Sequence, residues 1–254
     1  MEARTESRKR LKCISCEVLA RAVYGYASQT PHVVNVEVLG KALHNRPEGL
    51  RKQLQDLIAN CSSQRYDAVI LAYGLCGRAA AGLRAGEIPL VIPRAHDCIT
   101  LFLGSREKYR EEFEKEPGTF WFIPSYMERD LADVTDLFLG PGLSSEWIVS
   151  YQELVTKYGE DNATYLIETM GIWRSNYRRA AFVPGEQGNS GHAEKQAREE
   201  ATRNGWNFEV VEGSARLLKK LLFAAWDEEF LIIPPGQKVQ MVNDERVIDL
   251  VSLS

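Results

Sequence analysis

Short apolar runs alternate along this chain with segments in which apolar residues recur at helical spacing. The clearest run covers residues 67–73 and ends at Gly74, and a second covers residues 89–92. Uninterrupted apolar runs of this length are typical of parallel strands that are covered on both faces. Between the runs, Pro47 begins a segment whose apolar residues lie three and four positions apart, which indicates a helix. The alternation predicts an α/β fold built from βαβ units with a parallel sheet.

The same patterns give an ordered set of elements for most of the chain. Strands are predicted at residues 11–15, 33–39, 67–73, 89–92, 182–183, 206–212 and 230–233. Helices are predicted at residues 18–26, 47–58, 105–115, 192–204 and 215–226, and another begins at residue 144. Glycines and prolines cluster between residues 139 and 142, which separates the two halves of this series.

The second half of the chain repeats the first in outline. Residues 36–40, a helix and residues 68–71 correspond to residues 208–213, a helix and residues 230–233. We interpret this as an internal duplication that gives two similar Rossmann-like (flavodoxin-like) parallel-sheet halves. The alternative, that every α/β protein is periodic in this way, stays open. The predicted division is a disordered basic tail at residues 1–10, a first half at 11–142 and a second at 143–254.

Composition narrows the classes of protein to consider. Of the 254 residues, 44% are hydrophobic and 26% are charged, with a net charge of -4, as in ordinary globular domains. The negative net charge argues against a nucleic-acid-binding protein. No apolar run approaches the ~18 residues of a membrane helix, and the amino terminus has no signal-peptide pattern. The five cysteines all lie within the first 98 residues, which favours free thiols in a reducing cytoplasm.

Three of these cysteines follow predicted strands. Cys16 comes after the first strand, Cys76 after the third and Cys98 after the fourth. In the flavodoxin-like order 2-1-3-4 these three strands are neighbours, about 4.8 Å apart. Open α/β sheets bind their ligands at the carboxyl ends of the strands. We therefore expect the three thiols to meet at one edge of the sheet.

Clustered thiolates favour a thiophilic cation, so we predict a zinc site or, alternatively, an iron–sulfur cluster. His96 is the predicted fourth ligand. Helix amino termini after each strand are expected to lower the thiol pKa values. Cys13 lies three residues before Cys16 on the opposite face of a strand, so we assign the ligand role to Cys16, although either can reach the site if the strand ends early. Cys61 is assigned to packing, and the other histidines (His32, His44 and His192) to surface or core roles.

Residues around the cysteines have supporting roles in this hypothesis. Asp97 is expected to orient His96 or a bound thiol. Arg94 is expected to bind an anionic group, although an ion pair with another side chain explains it as well. Gly74 and Gly77, on either side of Cys76, permit close approach of the backbone. The aromatic residues Phe120, Trp121, Phe122 and Tyr126 either cover a ligand pocket or fill a core.

Two long motifs are similar to those of domain-of-unknown-function family 1638, from bacteria and archaea. They are residues 66–77 (YDAVILAYGLCG) and residues 93–100 (PRAHDCIT), with weaker agreement near residues 103–106, 212–213, 217–218 and 234–236. The resemblance implies a role beside corrinoid-dependent methyltransferases in one-carbon transfer. The run from His96 to Cys98 also resembles the start of the zinc site in methylcobamide:thiol methyltransferases. Those enzymes place their further cysteine downstream, whereas the other candidates here lie upstream.

Three hypotheses follow. The leading one is a cytoplasmic zinc-thiolate protein of corrinoid-linked methyl transfer, in which the metal activates a heteroatom of a small-molecule substrate; the activity would be that of a metal-dependent methyltransferase. The second is an iron–sulfur protein with one open iron. The third is a non-catalytic accessory protein that binds a metal or corrinoid for a partner. A corrinoid protein or methyltransferase is the expected partner, and no nucleic acid or membrane is expected.

Overall fold

The chain is described here by a computed structural model. It describes residues 7–41, 43, 47–76, 78–128, 156, 159–160, 176–185 and 191–251. The chain divides into two compact units. Unit 1 comprises Met1–Arg106 with Ser214–Ser254, and unit 2 comprises Glu107–Gly213.

Unit 1 is built on a five-stranded sheet with the order β2-β1-β3-β4-β8. Its strands are β1 (Arg10–Cys16), β2 (Val33–Leu39), β3 (Ala68–Ala72), β4 (Leu90–Pro93) and β8 (Phe230–Ile233). The first four strands pair in parallel, which confirms the predicted parallel sheet and the strand order 2-1-3-4. Strand β1 begins at Arg10, the last residue of the predicted disordered tail. Arg10 is held there by an ion pair with Asp67 (3.0 Å) and by pairing with Val33.

Burial explains why the central strands are apolar along their whole length. All the residues of β3 and β4 are buried, so neither face of these strands can carry a polar side chain. The edge strand β2 is only partly buried and includes Asn35 and Glu37. The helices of this unit are α1 (Ala20–Ala27, after a 3-10 turn at Glu17–Leu19), α2 (Pro47–Ala59), α3 (Cys98–Leu103) and α7 (Arg216–Leu222). Helix α7 buries four leucines and contacts both β3 and α1.

Strand β8 does not belong to a second parallel sheet. It pairs antiparallel with β4, with Leu90 opposite Ile233 and Pro93 opposite Phe230. The apolar run in β8 indicated burial correctly, but such a run does not specify which sheet a strand joins or in which direction. The α/β class is thus confirmed, whereas the duplication into two similar halves is not. The predicted boundary after residue 142 lies outside the described residues.

Unit 2 contains a three-stranded parallel sheet with the order β5-β6-β7. Its elements within the described residues are α4 (Arg106–Lys115, which begins at the last residue of unit 1), β5 (Thr119–Phe122), α5 (Pro124–Met127), β6 (Arg179–Phe182), α6 (Gly191–Asn204) and β7 (Asn207–Val210). Phe120 and Phe122 pack with Phe182, Trp206 and the alanine face of α6 to form the core of this unit. The aromatic cluster of the sequence therefore fills a core at these two positions. Burial of each such ring contributes about 1.5–3 kcal/mol.

A short hairpin completes unit 1. Strands β9 (Val239–Met241) and β10 (Ile248–Leu250) pair antiparallel, and residues 236–239, which end at the first residue of β9, bond to residues 82–85 through backbone groups. None of the described helices combines the length and the apolarity that crossing a bilayer requires.

Candidate functional site: three thiols at one edge of the sheet

The fold brings the three predicted cysteines to the same edge of the first sheet. Cys16 is the last residue of β1, Cys76 lies in the loop after β3, and Cys98 is the first residue of α3, after β4. Because β1, β3 and β4 are adjacent and parallel, their carboxyl ends lie side by side.

The three thiols also act on one another electrostatically. Burial raises the pKa of Cys98 well above its ordinary value, and the charges of Asp97, Cys76 and Cys16 raise it further. The pKa of Cys76 is raised by burial, then by Asp97 and Cys16. Cys76 is partly exposed. For Cys76 and Cys98 the expectation that helix amino termini lower the thiol pKa values is wrong, because loss of hydration outweighs the bonds from backbone N–H groups.

A close contact between two loops sets the positions of Cys76 and Cys98. A Cβ atom at Gly74 would lie 2.7 Å from both the Cα and the N of Asp97, so only glycine fits there. Leu75 N donates to Ala95 O (2.8 Å) and Cys76 N donates to His96 O (3.0 Å). These two backbone hydrogen bonds form a short ladder that holds the loops after β3 and β4 together.

Gly74 was expected to permit close approach of the backbone, and the backbone that approaches it is that of Asp97, in the loop after β4. Gly77, its predicted counterpart, lies outside the described residues. Cys76 itself has a φ of 45°, a left-handed conformation that is uncommon for a residue with a side chain. Conformations of this kind cluster at functional sites, where the surrounding structure enforces them.

Asp97 and His96 differ in their surroundings. Asp97 is the N-cap of α3, and its Oδ1 accepts a hydrogen bond from Thr100 N (3.2 Å). Burial raises the pKa of Asp97, while the bonds from Thr100 and the charge of His96 oppose the rise. The side chain of His96 is exposed. His96 therefore lies on the solvent side of the loop that carries Cys98.

Arg94 contacts the carboxyl-terminal hairpin. Its guanidinium donates to the backbone oxygens of Arg246 (3.2 Å) and Ile248, and it lies 3.9 Å from Asp249. Of the two roles considered for Arg94, these contacts favour the structural one, in which it fastens β10 beside the end of β4.

The surroundings of the remaining cysteines and histidines fit packing or surface roles. Cys13 is fully buried within β1, and its pKa is raised to about 12, chiefly by that burial. Cys61 donates through its thiol to Leu57 O (3.2 Å). His32 is buried and uses both ring nitrogens, whereas His192 is exposed. His44 lies outside the described residues.

Two residues at this edge were not singled out from the sequence. Tyr73 follows β3 directly and is buried, with 1% exposure. Burial raises the pKa of Tyr73, and the charges of Cys16, Cys76 and Glu17 add to the rise. Glu17, next to Cys16, accepts a hydrogen bond from Lys41 N through Oε1 (2.6 Å). Tyr73 is the last residue of the third predicted strand and Glu17 lies two residues after the first, and these positions at strand ends are the signal that could have identified them.

Whether these residues can bind a metal ion depends on the kinds of donor atoms that they supply and on where those atoms lie. Three thiols with a nearby imidazole are a donor set suited to zinc or to iron–sulfur chemistry. Within the described ranges, however, no three His, Cys, Asp or Glu side chains are arranged so that they could bind one ion together. The backbone thus brings the thiols to one edge, but their side chains are not in a ligand arrangement.

Comparisons with known proteins identify the family of this chain but give no activity for it. Neither the curated proteins nor the solved structures include a match to this chain. Residues 38–222 match the family described as "Protein of unknown function (DUF1638)". The matched region includes Cys76, His96 and Cys98 and begins after Cys16. Since it covers well over half of the chain, this protein belongs to the DUF1638 family.

Proposed function

We propose that this protein binds a thiophilic metal ion, zinc, through Cys16, Cys76 and Cys98, and that it takes part in corrinoid-linked methyl transfer. The observation that supports the metal site most strongly is that three adjacent parallel strands, β1, β3 and β4, end at one edge of the sheet, and that a cysteine lies at or just after each of these ends. Packing alone gives no reason for three cysteines to lie at the edge where α/β sheets bind ligands.

The proposal requires side-chain rotation on binding. The described side chains contain no ready group of three donors, so at least one cysteine must change its χ1 rotamer. A change of one rotamer leaves the backbone ladder between the two loops intact. His96, on the solvent side, is available as a fourth ligand or as a neighbour of a bound substrate.

Cys16, Cys76 and Cys98 would hold the zinc ion, which would lower the pKa of a coordinated heteroatom and so supply a nucleophile for a methyl donor. The chain's own contribution is to position the thiols, through Gly74 and the ladder, and to exclude water by burial. The methyl-transfer role comes from the family resemblance, which associates such proteins with corrinoid-dependent methyltransferases. We also propose a cytoplasmic location, since all five cysteines are free thiols.

Elemental analysis of protein purified without oxygen tests the metal site. We expect about one zinc per chain in the wild type and loss of most of it in Cys76→Ser. The matched control is Cys61→Ser, because Cys61 is also a buried thiol but bonds to its own helix; it should retain the metal. Unchanged metal content in Cys76→Ser would contradict the proposal.

The alternatives give different results in the same preparation. An iron–sulfur cluster would appear as brown protein with iron and acid-labile sulfide. For the activity, zinc-loaded protein is mixed with a methylated corrinoid and a small thiol, and demethylation of the corrinoid is followed by absorbance. Full activity of metal-free protein would refute the catalytic role. A metal-loaded chain without turnover that copurifies with a corrinoid protein would favour the accessory role.

A further inference from the structure

Two basic side chains from separate segments of unit 1 converge over Gly82. A Cβ atom built on Gly82 would lie 3.6 Å from Cε of Lys238, 3.8 Å from Cδ of Arg51 and 3.9 Å from Nε of Arg51. Gly82 and Leu83 each form a backbone hydrogen bond of 2.9 Å with Val239, the residue after Lys238. Helix α2 and the carboxyl-terminal hairpin therefore place an arginine and a lysine against the same glycine.

The guanidinium of Arg51 is held in place but does not use all its donors. Its Nη2 donates to Arg78 O (3.0 Å), in the loop after β3. Its Nε is buried and has no hydrogen-bond acceptor among the residues that the structure describes. Buried donors are nearly always hydrogen-bonded, so this N–H group indicates an acceptor that the described protein atoms do not supply. Arginine presents its donors in a planar fork that fits the oxygens of phosphate.

The positive charge around Gly82 is not neutralised by carboxylates. Four cations lie at or near this glycine: Arg51, Arg78, Arg84 and Lys238. Within the part of the chain that the structure describes, none of the four forms an ion pair, whereas other arginines of unit 1 do. Clustered like charges repel one another and attract an anion.

We propose that Arg51 and Lys238 bind a phosphate group of a small-molecule ligand, and that Arg78 and Arg84 add to the positive field. The exposed Lys238 side chain moves aside, a phosphate oxygen accepts from Nε of Arg51, and Nζ of Lys238 donates to the same phosphate. The chain has a net charge of -4, so a cluster of this size fits one phosphate group and not a nucleic acid. This inference is independent of the metal site.

Titration calorimetry of the full chain with inorganic phosphate, at constant ionic strength in chloride, tests the site. The wild type should bind phosphate saturably. Arg51→Gln and Lys238→Gln should each raise the Kd about tenfold, because each removes a hydrogen bond to a charged group. The matched control is Lys52→Gln, since Lys52 is the next residue of α2 and is exposed. Its Kd should stay within about twofold of the wild-type value, because exposed charges outside the site are largely screened.

Modification of arginines by phenylglyoxal, mapped by mass spectrometry, locates the bound phosphate in the wild-type protein. Phosphate at about ten times its Kd occupies roughly nine sites in ten, so it should slow the modification of Arg51 about tenfold. Arg65 is the control, since it is an exposed arginine that lies over the ring of Tyr66 (5.6 Å). Its rate of modification should not change with phosphate.

A folded wild type without saturable phosphate binding would overturn the inference. Equal weakening in Lys52→Gln and Arg51→Gln would also overturn it, because total charge would then explain the effect. If Arg51→Gln fails to fold, Lys238→Gln and the modification of the wild type decide, and an Arg51 that phosphate does not protect would refute the site. Zinc content is measured separately, so failure of this inference leaves the proposed function untouched.

Discussion

The substitution Gly74→Ala tests whether the two loops that carry Cys76 and Cys98 depend on their close contact. The added Cβ would lie 2.7 Å from two backbone atoms of Asp97, whereas ordinary contacts begin at 3.4 Å. The loops must therefore separate by about 0.7 Å. This movement stretches the bonds from Leu75 N and Cys76 N to about 3.5 and 3.7 Å, beyond useful hydrogen-bond lengths.

Steric strain of this kind and weakening of two backbone hydrogen bonds together lower the free energy of unfolding by about 3 kcal/mol. For a unit of this size the unfolding temperature should fall by roughly 6–12 °C, measured by scanning calorimetry. Gly40→Ala is the matched control, since Gly40 is exposed and its added Cβ meets nothing within 4 Å. An unfolding temperature for Gly74→Ala within one degree of that of Gly40→Ala would refute the reasoning.

Three further substitutions address other parts of unit 1. Burial opposes ionisation of Glu229, yet hydrogen bonds from Arg216 and Lys220 outweigh it and lower the pKa of this carboxyl. The ionised group therefore stabilises the fold above about pH 4.3, and this contribution is lost as the pH falls towards the lowered pKa. Glu229→Gln should lower the unfolding free energy by about 2 kcal/mol at pH 7, with a smaller deficit at pH 3, as measured by urea denaturation. His32→Phe leaves Lys9 N and Phe223 O, 3.3 and 3.1 Å from its ring nitrogens, without these bonds; the same assay should show a loss of about 2 kcal/mol. Asp97→Ala removes the cap of α3 and should cost about 1 kcal/mol, whereas Asp97→Asn should retain most of it.

Each of these three expectations has its own control. The difference between Glu229→Gln and wild type must depend on pH, and a constant difference from pH 3 to pH 7 would contradict the assigned pKa direction. The substitution His192→Ala, at an exposed histidine, should leave the free energy of unfolding unchanged. A loss equal to that of His32→Phe would show that the His32 result does not report on the two hydrogen bonds of its ring. Equal stability of Asp97→Ala and Asp97→Asn would show that the cap contributes nothing.

Much of unit 1 could be predicted from the sequence because its central strands are buried on both faces. Strand β2 was predicted with its observed bounds, and the apolar runs located β3 and β4 to within a few residues. Helix α3 was missed. All but one of its residues are buried, so its sequence has no amphipathic period to indicate a helix.

The pairing of β8 with β4 could not be predicted from the sequence, because the partner of a strand and its direction depend on packing elsewhere in the unit. The sheet edge at which the three cysteines lie was predictable, since strand order alone brings β1, β3 and β4 together. The rise in the thiol pKa values was not, because burial of a loop residue depends on its tertiary neighbours. The use of Arg94 by the hairpin likewise depends on contacts between residues more than a hundred positions apart.

Zinc-edge X-ray absorption of the wild-type protein tests the metal-thiolate site most directly. We expect about three sulfur atoms at about 2.3 Å from the metal, with one nitrogen or oxygen at about 2.0–2.1 Å. A first coordination sphere of nitrogen and oxygen alone would contradict a metal-thiolate site.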